Sequence, residues 1–205
     1  MSEQLLPLSG VRVVDCTVER GELTARLLGD LGAGVVKVEP PGGSPARRLA
    51  PVREGVSLAF AVRNAGKRGV VLDLTDTEDA ERFDELLAHS DVLVTSTVEL
   101  APGLDARDVA RRQPHLVVGA LTPFGLDGPY AEWAATSATL SATGGIAFKA
   151  GIPERTPIFA PGHLVDDAAS VTSAFGLLCA LYQREQTGAG QFVEVSTTEA
   201  IAQIA

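Results

Sequence analysis

The chain has 205 residues, of which 45% are apolar and 21% charged, with a formal net charge of −9. This length suffices for one domain with a sizeable core, and the acidic balance argues against general binding to nucleic acid or to a membrane surface. No stretch reaches the ~18 consecutive apolar residues of a membrane span, and the first residues lack a signal-peptide pattern. Cys16 and Cys179 stand far apart, which is typical of free thiols in a reducing compartment. We therefore expect a single cytoplasmic domain over 1–205.

Short β-branched runs alternate with helical stretches along the chain. Strands are predicted over 11–15, 35–39, 69–74, 91–95, 116–121 and 192–196. Helices are predicted over 23–31, from Thr75 or Thr77 onward, over 105–113, 131–143 and 167–183, and from Thr197 or Thr198 to the end, with loops over 96–104 and 145–162. This alternation predicts an α/β, Rossmann-like layered fold with a mostly parallel sheet flanked by helices. Because the last predicted helix reaches the final residue, we also expect a half-length or divided protein.

Basic side chains are concentrated in one segment of this acidic chain. Residues 37–68 contain seven lysines and arginines against Glu39 and Glu54. The basic residues are Lys37, Arg47, Arg48, Arg53, Arg63, Lys67 and Arg68. Such a segment suits a small anionic ligand such as a phosphorylated cofactor, because guanidinium and ammonium groups bind phosphate. The alternative is a solvated basic loop without a ligand.

Several common site motifs are missing. A single glycine follows the first predicted strand where a dinucleotide-binding chain would have GxGxxG, and neither a Walker A loop nor a GxSxG elbow occurs. The three histidines, His89, His115 and His163, are scattered, whereas a metal site needs several convergent ligands. We therefore expect no metal and no nicotinamide cofactor.

Two adjacent acids, Asp166 and Asp167, stand where a loop leads into the longest apolar helix. One such acid can cap the helix or complement its dipole, but two exceed what capping needs. Neighbouring helical residues point in different directions, so the two carboxylates can have separate roles. An ionised carboxylate at a helix start can also act as a nucleophile. Capping and catalysis both remain open at this point.

Two glycine-containing turns are further candidates for ligand contacts. FGLDGPY, which includes Gly125, follows a predicted strand, and parallel sheets bind ligands at such strand ends. The turn also fits a plain chain reversal. NAGKR, from Asn64 to Arg68, combines two cations with a glycine whose turn can present free N–H groups to phosphate.

Five segments, taken together, form a specific pattern. They are PLSGVRVVDCT, LLGDLGAGVVKVEPPGG, NAGKRGVVLDL, FGLDGPY and GLLCALYQREQTGAGQFVEVS, and they cover nearly the whole chain in order. This pattern resembles the family III coenzyme-A transferases, the CaiB/BaiF family. The resemblance implies transfer of CoA from an acyl-CoA to a carboxylic acid, with Asp166 forming an acyl-aspartyl anhydride. It implies CoA binding, without metal, by residues among Lys37, Arg47, Arg48, Asn64, Lys67, Arg68 and Gly125.

The resemblance also bears on partners and on alternatives. Family proteins are longer and form interlocked dimers, which implies a homodimer or a complementing second chain. The family has a small turn after its first strand and ENFRPG after its fourth, whereas residues 18–22 are charged here and 95–100 read TSTVEL. These departures favour an alternative, a CoA-binding or structural paralogue with impaired catalysis. An acyl-CoA racemase is disfavoured, because the His-Asp pair of the racemases has no counterpart after GPY.

Overall fold

The computed structural model describes residues 6–152, 154–159 and 161–205. Its strands are β1 (Arg12–Cys16), β2 (Gly34–Glu39), β3 (Val52–Arg53), β4 (Val56–Ser57), β5 (Arg68–Val71), β6 (Val92–Thr95), β7 (Glu99–Ala101), β8 (Leu104–Asp105), β9 (Val117–Thr122) and β10 (Phe192–Ser196). Six of them form a parallel sheet in the order β10-β9-β6-β1-β2-β5. The pairs β3–β4 and β7–β8 form small antiparallel hairpins beside it.

Helices cover both faces of this sheet. They are α1 (Glu22–Asp30), α2 (Leu58–Asn64), α3 (Thr77–Ala88), α4 (Ala106–Arg112), α5 (Ser137–Thr143), α6 (Ile146–Lys149), α7 (Leu164–Thr187) and α8 (Thr197–Ala202), with a 3-10 turn, η1 (Pro45–Arg48). Val13 packs with α1 and α7, whereas its neighbour Val14 packs with α3 and α4. Both sides of the strands are therefore buried, which explains their continuous apolar runs.

The predicted α/β fold is confirmed, and the differences lie in short elements. The helix predicted over 131–143 begins only at Ser137, because Thr136 and Thr139 form a capping box there. Helix α6 lies within the predicted loop 145–162, of which Pro153 and Ala160 are outside the described residues, as is the chain start 1–5. The last helix ends at Ala202. Helix α2 and both hairpins were not predicted from the sequence, because each has too few residues to show a periodic pattern.

Helix α7 is the longest helix of the described residues, and its first turn contains the paired acids Asp166 and Asp167. By length and composition alone it could cross a membrane, but half of its most apolar stretch is buried inside the protein. Gly119 in β9 permits this packing, because a Cβ there would lie 2.8 Å from a Leu177 methyl group. Helices of a parallel sheet run against the strands, so α7 begins at the strands' carboxyl ends and places Asp166 there.

Candidate active site

A cavity of about 390 Å³ opens at the carboxyl edge of the sheet, where the loop after β1 meets the start of α7. Its lining residues are Val18, Glu19, Arg20, Leu49, Ala135, Thr136, Ser137, His163 and Asp166. Side chains from four separate parts of the chain thus converge on one space. This is the position at which open parallel sheets bind ligands.

The Asp166 carboxylate faces this cavity with both oxygens engaged. Arg20 Nε donates to Oδ1 at 3.1 Å, and the Ser137 hydroxyl donates to Oδ2 at 2.9 Å. The Asp166 side chain is 12% exposed, and the residue lies in the first turn of α7. The unpaired amides of that turn favour negative charge at this place. The carboxylate is therefore held in place and is open to a ligand in the cavity.

Asp167 has a different environment from its neighbour. Its Oδ1 accepts from Arg63 Nη2 at 2.6 Å and from Arg63 Nε at 3.2 Å. Arg63 lies near the end of α2 and is buried, so this ion pair ties α2 to the start of α7. The two adjacent acids thus point to different partners, as the helix geometry predicts. Asp167 therefore forms a structural ion pair with Arg63, whereas Asp166 faces the cavity.

Four buried charges lie beneath the loop that carries Arg20. The Lys37 ammonium is 3.1 Å from Glu22 Oε1 and 3.7 Å from Asp15 Oδ2. The Lys67 ammonium donates to Asp15 Oδ2 at 2.6 Å and to the Glu22 carbonyl at 2.7 Å. All four side chains are almost fully buried. We call Asp15, Glu22, Lys37 and Lys67 the charge cluster; it links β1, α1, β2 and the turn before β5, and its formal charges cancel.

The charge cluster shifts the pKa of its members in directions that follow from burial and pairing. Burial raises the pKa of Asp15, but attraction to Lys37 and Lys67 and hydrogen bonds from Lys67 and Thr17 outweigh it, so the pKa lies below its usual value. Burial, together with repulsion from Lys37, lowers the pKa of Lys67 by more than Asp15 and Glu22 raise it. The Asp15 carboxylate also accepts from the Thr17 amide and hydroxyl, at 2.9 and 2.6 Å. The cluster therefore fixes the first residues of the Arg20 loop.

Three residues predicted to bind phosphate are instead engaged in the protein interior. The Lys37 ammonium donates to the Thr17 carbonyl at 2.8 Å and is enclosed by the cluster acids. Lys67 is enclosed in the same way. The Asn64 side chain accepts from Lys67 at 2.8 Å and donates to the Phe60 carbonyl at 3.1 Å. These polar groups are already paired inside the fold, and their predicted contact with phosphate stays a prediction.

The remaining predicted arginines lie at two opposite ends of the sheet. Arg47 is half-exposed on η1, where two hydrogen bonds of 2.7 Å join it to Glu39 and its guanidinium carbon lies 4.2 Å from the Phe60 ring centre. The hydrogen bond from Arg47 lowers the pKa of Glu39. Arg48 is exposed beside it, and the next residue, Leu49, lines the Asp166 cavity. Arg68 is exposed at the start of β5, near Gly34 at the amino-terminal edge, and so lies away from this site.

Gly125 lies in the turn after β9 and lines a second cavity, of about 610 Å³. Its φ of 94° favours glycine, and a Cβ would come within 2.9 Å of Glu194 Oε1. A third cavity, of about 260 Å³ and mainly apolar, shares Val18 with the Asp166 cavity and Thr97 with the Gly125 cavity. Burial raises the pKa of the Cys16 thiol in its wall. The three cavities thus adjoin along one edge of the sheet. Within the described ranges, no three potential metal ligands converge.

Sequence reasoning did not assign two of the side chains that hold Asp166. Arg20 could have been found, because it is a charged residue where the related family has a small turn. From the sequence, this charge was interpreted only as a difference from the family pattern. Ser137 lies in a stretch rich in small polar residues and carried no signal. Its contact with Asp166 depends on how the segment before α5 returns to the sheet edge, which local sequence does not determine.

The sequence profile of CoA-transferase family III matches residues 8–205. The chain belongs to this family. It is 39% identical to the succinyl-CoA--L-malate CoA-transferase beta subunit of Chloroflexus aurantiacus, over 96% of this chain and 50% of that protein. It is 37% identical to the probable CoA-transferase Rv1866 of Mycobacterium tuberculosis, over 91% of this chain and 24% of that protein. A CAIB/BAIF family protein from Brucella suis has a TM-score of 0.91 at 30% identity, covering 98% of this chain and 56% of that one. The chain spans half or less of these two curated relatives.

The charge cluster makes a first prediction about stability. Asp15→Asn leaves two buried ammonium groups with one acid, so the free energy of unfolding at pH 7 should fall by about 3–5 kcal/mol. Because the folded-state pKa of Asp15 lies below its ordinary value of 3.8, its contribution is present above that pH and is lost as the pH falls through the folded pKa. Urea unfolding of the wild type and of Asp15→Asn should therefore show that the difference between their free energies of unfolding becomes smaller in acid.

The matched control is Asp30→Asn. Asp30 is an exposed acid that pairs with Arg26, and both of these residues lie on α1. We expect it to change the free energy of unfolding by less than about 1 kcal/mol. Equal effects of the two substitutions at pH 7 would contradict the structural role of the charge cluster.

Proposed function

We propose that this chain takes part in transfer of CoA between an acyl-CoA and a carboxylic acid, with Asp166 as the nucleophile. One observation carries the proposal: the Asp166 carboxylate, at the start of α7, faces a cavity large enough to admit a thioester. Both curated relatives described above are named CoA-transferases, which supports the reaction class.

The proposed reaction moves one acyl group at a time through Asp166. A carboxylate oxygen attacks the thioester carbon, a C–O bond forms, the C–S bond breaks, and CoA leaves as a thiolate. The thiolate then attacks the aspartyl carbonyl, which releases the donor acid and leaves an aspartyl-CoA thioester. The acceptor carboxylate attacks that thioester, and the same two steps in reverse order produce the new acyl-CoA and free Asp166.

The contacts of Asp166 fit this role if one of them weakens during the reaction. Arg20 and Ser137 hold the two carboxylate oxygens in a fixed orientation, which reduces the entropic cost of attack. Each oxygen accepts one hydrogen bond and so keeps a second lone pair, and the contact on the attacking oxygen weakens as its charge is lost. The first amides of α7 have no partner within the helix and can stabilise the oxyanion that forms.

We propose that the CoA nucleotide lies outside the Asp166 cavity, beside η1. The adjoining apolar cavity of about 260 Å³ offers a surface for the adenine ring. Arg48, exposed on the adjacent turn, then provides phosphate contacts together with the N–H groups that Arg47 does not use for Glu39, since guanidinium groups bind phosphate. Val18 lines both cavities, so a pantetheine arm passing it would reach Asp166.

A second candidate function is CoA binding without chemistry. The observation that favours it is the Arg20 contact, which occupies the attacking carboxylate from a turn that differs from the family pattern. The two candidates differ in one respect only, whether Asp166 becomes acylated. A chemical trap therefore separates them.

We further propose that a second copy of this chain covers the outer side of α7. Four apolar side chains repeat along that side at helical spacing and are exposed: Leu164, Val171, Phe175 and Tyr182. Exposed apolar stripes of this extent mark protein interfaces. The relatives are longer, and one of them is a named beta subunit, which supports a multi-chain assembly.

The nucleophile predicts a covalent adduct. Incubation with an acyl-CoA followed by hydroxylamine should convert Asp166 to a hydroxamate, detected by peptide mass spectrometry. Asp166→Asn should abolish the adduct and lower turnover by more than about a thousandfold. Because asparagine also suits a helix start, stability should fall by only about 1–2 kcal/mol.

Asp167→Asn is the matched control, since it removes the neighbouring charge, whose side-chain partner among the described residues is Arg63. It should keep the hydroxamate at position 166. A wild-type chain that binds acyl-CoA yet gives no adduct would contradict the transferase proposal and favour the binding paralogue.

The CoA site predicts a position-dependent effect of arginine removal. The double variant Arg47→Ala/Arg48→Ala should weaken CoA binding about tenfold or more, measured by calorimetric titration. Arg68→Ala removes an exposed arginine from the opposite edge and should change the affinity by less than about twofold. Equal losses from both variants would place the nucleotide elsewhere.

The proposed α7 interface predicts self-association. Sedimentation velocity should show a dimer, and Phe175→Lys should shift it toward monomer because it places a charge within the apolar stripe. Val62→Lys, at an equally exposed apolar position on α2, should leave the dimer intact. A wild-type chain that stays monomeric at its highest soluble concentration would contradict the proposal that a second copy covers the outer side of α7.

A further inference from the structure

Arg20 has more hydrogen-bonding capacity in the Asp166 cavity than the protein uses. Its Nε donates to Asp166, whereas its Nη1 and Nη2 groups find no acceptor within residues 6–152, 154–159 and 161–205. The Arg20 side chain is 19% exposed, so most of it packs against the protein, while its Nη groups are not fully buried and remain accessible to a ligand. A half-buried guanidinium with two free N–H-bearing groups is suited to a planar anion, above all a carboxylate.

The loop presents Arg20 to the cavity by a constrained backbone. The Arg20 amide donates to the Val18 carbonyl at 2.6 Å, and Glu19 between them has a φ of 59°. Gly21, which follows Arg20, has a φ of 84°. Positive φ at two positions beside Arg20 is uncommon and indicates that this tight turn is maintained by its surroundings. The charge cluster below it, which includes Glu22, provides that support.

The charge of Asp166 changes during the proposed reaction, and this leaves Arg20 without its partner. When a carboxylate oxygen forms the C–O bond and the C–S bond breaks, the negative charge moves from Asp166 to the CoA sulfur. The acylated aspartyl group is neutral. A partly buried cation that loses its counter-ion is unfavourable, so an anion that replaces the Asp166 charge would stabilise this stage.

We propose that Arg20 is a specificity-determining residue that binds a second carboxylate of the acyl group, so that the site takes dicarboxylic acids and their CoA monothioesters. This inference rests on the proposed function. One carboxyl group reacts at Asp166, and the other takes the free Nη groups of Arg20. Among the described residues that line the cavity, Arg20 is the one arginine and there is no lysine.

The other charged and titratable groups of the cavity are consistent with this role. Glu19 also lines it, but its side chain is exposed, so water and salt screen its repulsion of a bound carboxylate. His163, at the start of α7, presents a ring that can donate or accept a hydrogen bond. The Asp166 carboxylate accepts from the Nε of Arg20, so a second carboxylate can bind at the Nη groups before Asp166 is acylated as well as afterwards.

Two CoA thioethers test the inference without turnover, because a thioether has no carbonyl carbon for Asp166 to attack. S-(3-carboxypropyl)-CoA and S-butyl-CoA differ only in a terminal carboxylate against a methyl group. Calorimetric titration of the full chain should show the carboxylate ligand binding about tenfold more tightly. Arg20→Met should bring the ratio of the two affinities close to one, and Arg20→Lys should leave an intermediate ratio.

Arg82→Met, which removes an exposed arginine from α3, is the matched control and should keep the wild-type ratio. Equal binding of both thioethers by the wild type would overturn the role of Arg20 while leaving CoA binding in place. A ratio that survives Arg20→Met, in a variant with wild-type thermal unfolding, would also overturn it. Failure of both thioethers to bind would instead overturn the proposed function, and this inference with it.

Discussion

The buried pairing of Asp15, Glu22, Lys37 and Lys67 is the interaction on which the site depends. Burying four charges is costly unless each has partners, and here every one lies within 4 Å of an opposite charge. The cluster connects β1, β2, α1 and the turn before β5 at a point just below the cavity. Its members also bind the backbone of the loop after β1, through the carbonyls of Thr17 and Glu22. The position of Arg20, and through it of Asp166, follows from these contacts.

The start of α7 separates two acids that are adjacent in sequence. A helical turn rotates successive side chains, so Asp166 reaches the cavity while Asp167 reaches Arg63. One carboxylate anchors the helix, and the other is available for chemistry. The anchoring contact also stabilises the position of its neighbour, because both act on the same first turn. This division of roles explains why the chain carries two acids where a helix start needs one.

The sequence predicted the parallel α/β fold because strand and helix periodicities alternate clearly over most of the chain. It also predicted that Asp166 begins a helix near a strand end, since the loop and the apolar run are both visible. The sequence did not distinguish the buried basic side chains of residues 37–68 from the exposed ones. Lys37 and Lys67 are buried because two acids, Asp15 and Glu22, approach them in the fold, and such pairing depends on tertiary contacts.

Register explains a further part of what local sequence could not show. Arg68 is close to Arg47 in sequence and equal in charge, yet it begins β5 and so lies at the opposite edge of the sheet from η1. Arg20 and Ser137 come from segments that are far from Asp166 in sequence. Their hydrogen bonds to its two oxygens arise only when the fold brings the β1-to-β2 and β9-to-β10 connections to one edge of the sheet. Composition and residue spacing do not predict such long-range tertiary contacts.

The central claim is that Asp166 forms covalent bonds to the groups it transfers. Oxygen exchange tests it most directly, because the acceptor carboxylate leaves one of its own oxygens on the aspartate when the new thioester forms. A single turnover with an acceptor carrying oxygen-18 in its carboxylate should place one heavy oxygen in the peptide that contains Asp166. Turnover that leaves this peptide unlabelled, with all heavy oxygen recovered in the acids and thioesters, would contradict the account.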